Sequence, residues 1–395
     1  MPHDPRCWSC GARDVRDFYE VRGIPAHSCL LMPTPEEAVA YPRRDLALGF
    51  CEACGFIQNT AFDPTVHEYS PRYEETQGFS GRFNRFAGEL ARRLVFRHDL
   101  RGKDIVEIGC GKGEFLRLLC EIGDNRGVGI DPAWRPDRVP EGRAGDRGSV
   151  RFIPQLYSPE HADLPADLIL CRHTLEHIQP VAELLRLVRE SIGAKDTVVV
   201  VEVPDVGRVL RERAFWDIYY EHCSYFSPGS LAHLFRSSGF DVQDLSLDFG
   251  DQYILIDARP GGGLGGVRSA LEDDLGRLAD DVRRFEVAAP DRVEGWRESL
   301  ARARERGQHV ALWGSGSKAV SFLTTLGVRD EVGCVVDVNP FKQGMYMPGT
   351  GHPIVAPERL KTYRPDAVVA MNPVYLDEIR REMRGLGVEA ELVAV

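Results

Sequence analysis

The sequence has no run of about 18 uncharged apolar residues, the length that a membrane-spanning helix requires. Its first residues, MPHDPRCWSC, contain charges and proline where a signal peptide would have an apolar core. Basic residues are in the minority, because 49 Lys and Arg stand against 60 Asp and Glu and leave a formal net charge of −11. Nucleic acids are bound by basic surfaces, so this balance argues against such a partner. We therefore expect a cytoplasmic protein that works without a membrane or a nucleic acid.

An internal repeat of fixed period is also missing, which argues against solenoids and propellers. The 395 residues, of which 43% are hydrophobic and 28% charged, are enough for two or three globular domains. Residues 1–65 are interrupted by glycine and proline and predict a small irregular module. Residues 66–262 predict a large domain with a leading helix, residues 263–306 a helical connector with a solvated face, and residues 307–395 a third unit.

A disulfide-type spacing of cysteines is absent as well. Four of the ten cysteines form two Cys-x-x-Cys pairs, each followed by glycine, and the other six are scattered singly. The paired residues are Cys7, Cys10, Cys51 and Cys54. Four thiolates satisfy tetrahedral Zn²⁺ completely, so the simplest interpretation is a structural zinc site without an open position for catalysis. The 40 residues between the pairs exceed the usual spacing of a zinc ribbon, and a redox dithiol or unligated core cysteines are the alternatives.

Short β-type runs alternate with helical segments from about residue 103 onwards. The runs DIVEIGC, RGVGID, LILCRH and TVVVVEV are separated by helical patterns such as FLRLLCEIG and a leucine-rich helix from Val181 to Ile192. A similar order of strand, glycine turn, helix and strand begins at HVALWGSGSKAVSFL. This alternation predicts an α/β fold in which two Rossmann-like parallel sheets follow the small metal module.

A glycine-rich turn follows the first of these strands. It has the pattern Glu-x-Gly-x-Gly-x-Gly and consists of Glu107, Gly109, Gly111 and Gly113. Side chains on these glycines would block the approach of a cofactor to the backbone. Asp131 ends the next strand, 22 residues past Gly109, where a carboxylate can accept hydrogen bonds from a ribose diol. A sheet without a cofactor and a nicotinamide site are the alternatives.

The turn and the acid do not stand alone, because the segment LILCRHTLEH, which contains His173, matches a further strand and loop. Together the three features resemble the S-adenosylmethionine (SAM) site of class I methyltransferases. The resemblance implies that the turn, Asp131 and His173 bind SAM.

A cluster of tyrosine, glutamate and histidine follows the fifth strand, in the segment WDIYYEHCSYFS. Methylation of a carbon next to a carbonyl needs a base that removes the proton and donors that hold the enolate oxygen. His222 is the candidate base because an imidazole titrates near neutral pH, and Tyr219 and Glu221 would orient it or bind the substrate. The alternative is that the aromatic residues pack a core around a histidine without a catalytic role.

The order of zinc module, SAM domain and Rossmann-like C-terminal unit, together with IYYEHCSYFS and DVNPFKQGMYMPGTGHPI, resembles the nucleotide-sugar C-methyltransferases. The resemblance covers essentially the whole chain. It implies SAM-dependent methylation of C3 of 4-keto deoxysugars linked to thymidine diphosphate, with catalytic groups from the Tyr-x-Glu-His motif that matches Tyr219, Glu221 and His222. In that family a tyrosine just before the SAM domain lines the sugar site, and Tyr69 and Tyr73 are the possible matches.

Two segments depart from the family pattern. Residues 248–253 read DFGDQY where the family usually has His-Gly-Gly, and residues 370–375 read AMNPVY where it has Pro-Trp-Asn or Ala-Trp-Asn. Both lie where the acceptor is expected to bind, so the identity of the acceptor stays open.

The third unit carries a second glycine turn, WGSGSK, in which Lys318 stands at the start of a helix. Backbone N–H groups and a cation can hold a phosphate there, so the turn either contacts the diphosphate of the acceptor or binds nothing. Asp337 ends the following strand and is either a ribose-binding acid or a turn residue.

Two rival functions remain. One is methylation of a different small-molecule acceptor at oxygen, nitrogen or carbon on the same scaffold. The other is a non-catalytic zinc-stapled binding protein, against which the intact glycine turn and Asp131 argue. We expect a monomer or a homodimer.

Overall fold

The computed structural model describes residues 6–66, 72–136, 149–263 and 265–395. In this part of the chain the strands form three sheets, which belong to an N-terminal module, a central domain and a C-terminal domain. None of the helices described there combines the length and the apolar character needed to cross a membrane.

The N-terminal module is built on an antiparallel sheet whose fourth strand comes from far along the chain. The strands are β1 (Val15–Pro25), β2 (Arg43–Cys51), β3 (Ile57–Asn59) and β9 (Ser224–Tyr225), and the short helix α1 (Pro35–Ala40) lies between β1 and β2. The prediction of an irregular module is wrong here, since Phe18, Leu46 and Phe50 are buried in an ordered core. The residues that complete this core begin at Val206, far outside the first 65 residues, so the composition of those residues does not show them.

The central domain contains a seven-stranded sheet within the described residues. Its order is β10–β11–β8–β7–β4–β5–β6. The strands are β4 (Asp104–Ile108), β5 (Arg126–Ile130), β6 (Val150–Ile153), β7 (Leu168–Arg172), β8 (Val198–Pro204), β10 (Phe240–Asp248) and β11 (Tyr253–Pro260). Neighbours pair in parallel except at β11, which is antiparallel to both β8 and β10. The carboxyl ends of β4, β5, β7 and β8 therefore share one edge, where ligands bind in open α/β sheets.

Helices flank the central sheet. They are α2 (Gly81–Arg97), α3 (Glu114–Gly123), α4 (Val181–Ile192), α5 (Val206–Glu212) and α6 (Pro228–Ser237). Helix α2 begins after Ser80, whose Oγ accepts a hydrogen bond from the backbone N–H of Phe83. It buries Phe86, Leu90 and Leu94, the face that their spacing predicts.

The C-terminal domain has a five-stranded parallel sheet in the described chain. Its order is β14–β13–β12–β15–β16. The strands are β12 (Val310–Trp313), β13 (Cys334–Val336), β14 (Ile354–Val355), β15 (Ala367–Ala370) and β16 (Glu391–Ala394), and the helices are α8 (Ser317–Leu326), α9 (Leu360–Tyr363) and α10 (Leu376–Leu386). The α/β fold with two Rossmann-like sheets is thereby confirmed.

The long helix α7 (Leu275–Glu305) connects the domains. The helix has the solvated face that the sequence predicts, and on its other side it buries residues that include Leu278, Val282 and Phe285. The ring of Phe285 lies 5.1 Å from that of Tyr19 in β1, and the same apolar cluster continues to Phe322 in α8. Helix α7 therefore packs the N-terminal module against the C-terminal domain.

Candidate active site

A cavity of about 1710 Å³ lies where three parts of the chain meet. Its walls come from the carboxyl edge of the central sheet, from residues 73–80 before α2, and from the glycine turn of the C-terminal domain. The cavity brings together these residues singled out from the sequence: Tyr73, Glu107, Gly109, Gly111, Asp131, His173, Tyr219, His222, Lys318 and Asp337. Gly113 and Glu221 are not among the described residues that line it.

The four paired cysteines form a separate cluster. Their sulfur atoms lie within 4.8 Å of one another, with 3.7 Å between Cys7 and Cys54 and 3.7 Å between Cys10 and Cys51. All four are unbridged by disulfides. Gly11 and Gly55 have φ angles of 77° and 76°, the left-handed conformation that each knuckle requires. The donor set and the closeness of the sulfurs fit a tetrahedral ion of the zinc type.

The glycine turn joins β4 to α3. Its three glycines have positive φ angles of 70°, 54° and 78° at Gly109, Gly111 and Gly113. A Cβ atom on Gly109 would stand 2.0 Å from Oγ1 of Thr174, and one on Gly113 would stand 2.2 Å from the ring of Phe152. The protein's own packing therefore requires glycine at these two positions, in addition to any need of a cofactor.

Asp131 follows β5 and closes the turn. Its Oδ2 accepts a hydrogen bond of 2.8 Å from the backbone N–H of Gly111, and its Oδ1 accepts one of 2.7 Å from that of Ala133. Each carboxylate oxygen retains a second lone pair, which a ribose hydroxyl can use. A turn without side chains beside a carboxylate at the cavity wall fits the nucleoside part of SAM.

Glu107 lies beneath the same turn. It is only 3% exposed, and its Oε2 has no hydrogen-bond partner within the described chain. Burial raises the pKa of Glu107 to about 8, although the positive charge of Arg172 opposes the shift. A carboxyl with one unpartnered oxygen at this place fits a cationic ligand, and SAM carries both an ammonium and a sulfonium group.

His173 is part of a buried ion-pair group in the cavity wall. Oε1 of Glu202 lies 2.7 Å from Nη2 of Arg172 and 2.8 Å from Nε2 of His173. Burial alone would lower the pKa of His173, but the carboxylates of Glu176 and Glu202 outweigh it and raise this pKa to about 9. The two carboxylates therefore favour the protonated imidazole, which lies at the cavity wall where SAM could contact it.

His222 lies at the cavity wall beside Tyr219. The two ring centroids are 4.2 Å apart, and the ring of His177 stands perpendicular to that of His222 at 4.7 Å. Oε1 of Glu176 is 4.0 Å from Nε2 of His222. Burial raises the pKa of Tyr219 well above its ordinary value, so the phenol keeps its proton. The site thus combines a base, a neutral donor and a carboxylate that stabilises a protonated imidazole.

Glu221 faces away from the cavity and is buried at a junction of the domains. Its Oε1 accepts hydrogen bonds from the backbone N–H and, at 3.0 Å, from Oγ of Ser28, and its Oε2 accepts one of 2.7 Å from the hydroxyl of Tyr73. Burial opposes ionisation, but the neighbouring imidazoles of His27 and His177 and these hydrogen bonds hold the pKa of Glu221 below its ordinary value. Glu221 is therefore placed to orient Tyr73 rather than to contact a substrate.

Lys318 is paired inside the cavity. Its Nζ contacts the carboxylate of Asp217, which also binds Arg208 at 2.6 Å. Burial and the charge of Arg208 lower the pKa of Lys318 well below its ordinary value. Tyr69, the other possible sugar-site tyrosine, lies outside the described residues.

Asp337 closes the second glycine turn as Asp131 closes the first. Its Oδ2 accepts hydrogen bonds of 2.8 and 2.5 Å from N and Oγ of Ser315. Lys342, which is 7% exposed, lines the cavity next to this turn.

Sequence reasoning missed several residues of the site. Glu176 and His177 lie in the segment LILCRHTLEH, whose pattern indicates the fold and the cofactor but no role for these two residues. Gln252 and Asn372 line the cavity and exchange two side-chain hydrogen bonds of 2.9 Å. They stand in the two segments that depart from the family pattern, so the sequence marked both segments but not their contact.

Comparison with known proteins gives the family of the chain. A family model described as a methyltransferase domain matches residues 79–245, and one described as a C-methyltransferase C-terminal domain matches residues 271–391. The C-methyltransferase NovU of Streptomyces niveus is 32% identical over 390 residues, which cover 94% of this chain and 90% of NovU.

Solved methyltransferase structures are more distant. The 1,6-didemethyltoxoflavin-N1-methyltransferase of Burkholderia thailandensis is 20% identical, with 44% of this chain and 78% of that chain covered and a TM-score of 0.34. Magnesium protoporphyrin IX methyltransferase of Synechocystis PCC 6803 is 12% identical, with 46% and 84% covered and a TM-score of 0.35. It is the match to NovU along nearly the whole length, together with the two family models, that places the chain in the family of SAM-dependent C-methyltransferases.

Proposed function

We propose that the protein methylates the carbon next to the ketone of a 4-keto deoxysugar linked to thymidine diphosphate. The observation that carries the proposal is the shared cavity: His222 and Tyr219 face the same space as the glycine turn of the central domain and the glycine turn of the C-terminal domain. One chamber can thus hold a methyl donor, a reacting carbon and a nucleotide.

The chemistry begins with a proton. The imidazole of His222 accepts the proton from the carbon next to the ketone, so that the C–H bond breaks, an N–H bond forms and negative charge moves to the ketone oxygen. The carboxylate of Glu176, 4.0 Å from Nε2, stabilises the imidazolium that results. Tyr219 keeps its proton and can donate a hydrogen bond to the developing oxyanion. When bound, SAM supplies an electrophilic methyl group for the nucleophilic carbon.

Tyr73 positions the sugar in this proposal. Its hydroxyl donates to Glu221, and a phenol oxygen can also accept a hydrogen bond, here from a hydroxyl of the substrate. Glu221 is then a positioning residue. Its own anchor is Ser28, whose Oγ also donates to Oγ of Ser317 in the C-terminal domain at 2.7 Å.

The C-terminal domain would bind the nucleotide. Lys318 and Lys342 bring two amino groups to this side of the cavity, and the turn at residues 314–317 offers backbone N–H groups. Because Lys318 is already paired with Asp217, we expect Lys342 to provide the larger share of the attraction for a diphosphate.

Zinc would be structural. The ligands Cys7, Cys10, Cys51 and Cys54 leave no coordination position for a substrate, so the ion would join two segments of the N-terminal module and take no part in methyl transfer.

The test combines mass spectrometry with isotope exchange. The protein is incubated with SAM and a panel of thymidine-diphosphate 4-keto sugars, and we expect an acceptor to gain one methyl group. With the neutral product S-adenosylhomocysteine in place of SAM, the proton next to the ketone should exchange with solvent deuterium. His222→Asn should abolish exchange and transfer, whereas His233→Asn on the exposed face of α6 should change neither.

Failure of the proposal would be visible in the same experiment. Methyl gain at oxygen or nitrogen without deuterium exchange would indicate a different acceptor chemistry. Bound SAM without transfer to any sugar of the panel would exclude this substrate class.

A further inference from the structure

We propose that Glu75 is a cofactor-binding residue, whose carboxylate accepts a hydrogen bond from the ammonium group in the methionine part of SAM. The inference rests on SAM being the methyl donor and is independent of the acceptor. Glu75 lies in the segment before α2, outside the strand, turn and helix that carry the predicted SAM residues.

Glu75 lies directly on the glycine turn. Its Oε1 is 2.7 Å from the point that a Cβ atom on Gly111 would occupy. The absence of a side chain at Gly111 therefore makes room for the carboxylate of Glu75 and for a ligand beside it. The side chain of Glu75 is 34% exposed, and it lines the cavity.

One oxygen of the Glu75 carboxylate is paired with Lys112. Its Oε2 lies 3.2 Å from Nζ of Lys112, and this ammonium also donates a hydrogen bond of 2.9 Å to the backbone carbonyl of Tyr73. Lys112 is buried, with a side chain only 4% exposed, so the ion pair has a defined geometry. Lys112 fixes Oε2, and Oε1 is the oxygen that faces the turn.

Negative charge around the turn exceeds the positive charge available. Glu107 and Asp131 lie below and beside it, and Oε2 of Glu107 is buried without a hydrogen-bond partner in the described residues. Arg172 also lies in the wall, but its Nη2 is paired with Glu202 at 2.7 Å. Burial raises the pKa of both Glu75 and Glu107, and the charges of Lys112 and Arg172 oppose these shifts only in part. A ligand ammonium above the turn would balance them.

The two residues before Glu75 have partners elsewhere in the protein, which shows that the direction of each side chain in this segment is defined. Glu75 is therefore not simply a surface glutamate. Glu74 is 1% exposed and accepts a hydrogen bond of 3.0 Å from Nδ2 of Asn339 in the C-terminal domain. Tyr73 donates to Glu221. Of these three residues, Glu75 is the one whose side chain contacts the glycine turn.

The test compares two ligands by isothermal titration calorimetry. S-adenosylhomocysteine carries the ammonium group, whereas 5′-methylthioadenosine has the same adenosine and a thioether but lacks the ammonium and carboxylate. Glu75→Gln should weaken binding of S-adenosylhomocysteine by about tenfold or more, since a hydrogen bond to a charged group is lost, and leave binding of 5′-methylthioadenosine unchanged. Glu89→Gln, on the exposed face of α2, is the matched control and should affect neither ligand.

A second variant, Lys112→Met, distinguishes direct binding of the ammonium by Glu75 from an indirect effect in which Glu75 only holds Lys112. If Glu75 acted only by holding Lys112, Lys112→Met would reproduce the loss and Glu75→Gln would add nothing to it. Equal weakening of both ligands, or no change in either, would likewise overturn the inference. Absence of any binding by the unaltered protein would instead contradict SAM as its cofactor, so the two failures are distinguishable.

Discussion

Ile57 pairs with Tyr225 across the last ladder of the N-terminal sheet, so the strand that follows His222 is held by the strand that follows the second cysteine pair. Five residues separate Cys51 from β3, and one residue separates His222 from β9. The cysteine cluster and the candidate base therefore share one small sheet. Loss of the cysteine cluster should therefore disturb the position of His222.

Metal removal is the first prediction. Cys10→Ala should lose the bound zinc, lower the melting temperature and reduce methyl transfer strongly, while the affinity for SAM changes by less than about threefold. Metal analysis, thermal unfolding and calorimetry measure these quantities. Cys334→Ala, which removes a buried thiol outside the cluster, should retain the metal.

The metal count also tests the role of His222. Glu176, His177 and His222 place their ligand atoms within 4.8 Å of one another, so a second ion at this place would occupy the proposed base. We expect one zinc per chain, unchanged in His222→Asn. Two ions per chain, with one lost in this variant, would contradict proton abstraction by His222.

Tyr73 and Glu221 should act as one unit. Tyr73→Phe removes the donor of the 2.7 Å hydrogen bond, and Glu221→Gln weakens the acceptor, so each should lower kcat by about tenfold or more. The double variant should be little worse than either single one, because both remove the same interaction. Steady-state kinetics of the three variants provide the measurement, with Tyr363→Phe in the C-terminal domain as the control. If the factor by which kcat falls in the double variant were the product of the two single factors, Tyr73 and Glu221 would act separately.

The affinity for SAM should rise with pH. Glu107 has a pKa of about 8, so it is largely protonated at pH 6.5 and ionises as the pH approaches and passes 8. Only the ionised form attracts the cationic cofactor, so binding should tighten over this range, by at most about tenfold per pH unit. Calorimetry between pH 6.5 and 8.5 measures the slope. Glu107→Gln should flatten it, and an unchanged slope in that variant would assign the pH dependence to another group.

The pair of side-chain amides formed by Gln252 and Asn372 should contribute to acceptor binding. Gln252→Leu leaves Nδ2 of Asn372 without its partner where the central and C-terminal domains meet, although Oδ1 still accepts from the backbone N–H of Val374. This loss should cost about 1–3 kcal/mol of unfolding free energy. We expect a higher KM for the acceptor with an unchanged Kd for SAM. Gln243→Leu, in a residue whose amide bonds within its own strand, is the control. An unaltered acceptor KM would remove these residues from the acceptor site.

Local patterns predicted much of the fold and of the site. The strand, turn and helix around Gly109 and the spacing of the cysteine pairs are visible in a few consecutive residues, because the backbone conformation and the ligand geometry are local requirements. The proximity of His222 to Tyr219 follows from their short spacing in one segment. These features needed no knowledge of distant contacts.

Other features depend on pairs of residues far apart in the sequence. The burial of one face of α7 comes from the packing of Phe285 against Tyr19, and Glu221 faces Tyr73 and Ser28, not the cavity. A pattern within one segment cannot show which of its side chains will meet a distant partner.

The sequence by itself determined the α/β class, the two glycine turns, the cysteine cluster and the motif that holds the candidate base. Only the tertiary structure decided that Glu75 lies on the first turn, that Gln252 meets Asn372, and that the strand after His222 completes the N-terminal sheet. The physical reason is the range of the interactions. Backbone conformation and metal ligation are set by neighbours in the chain, whereas the walls of the cavity are set by how three parts of the chain, far apart in sequence, pack together.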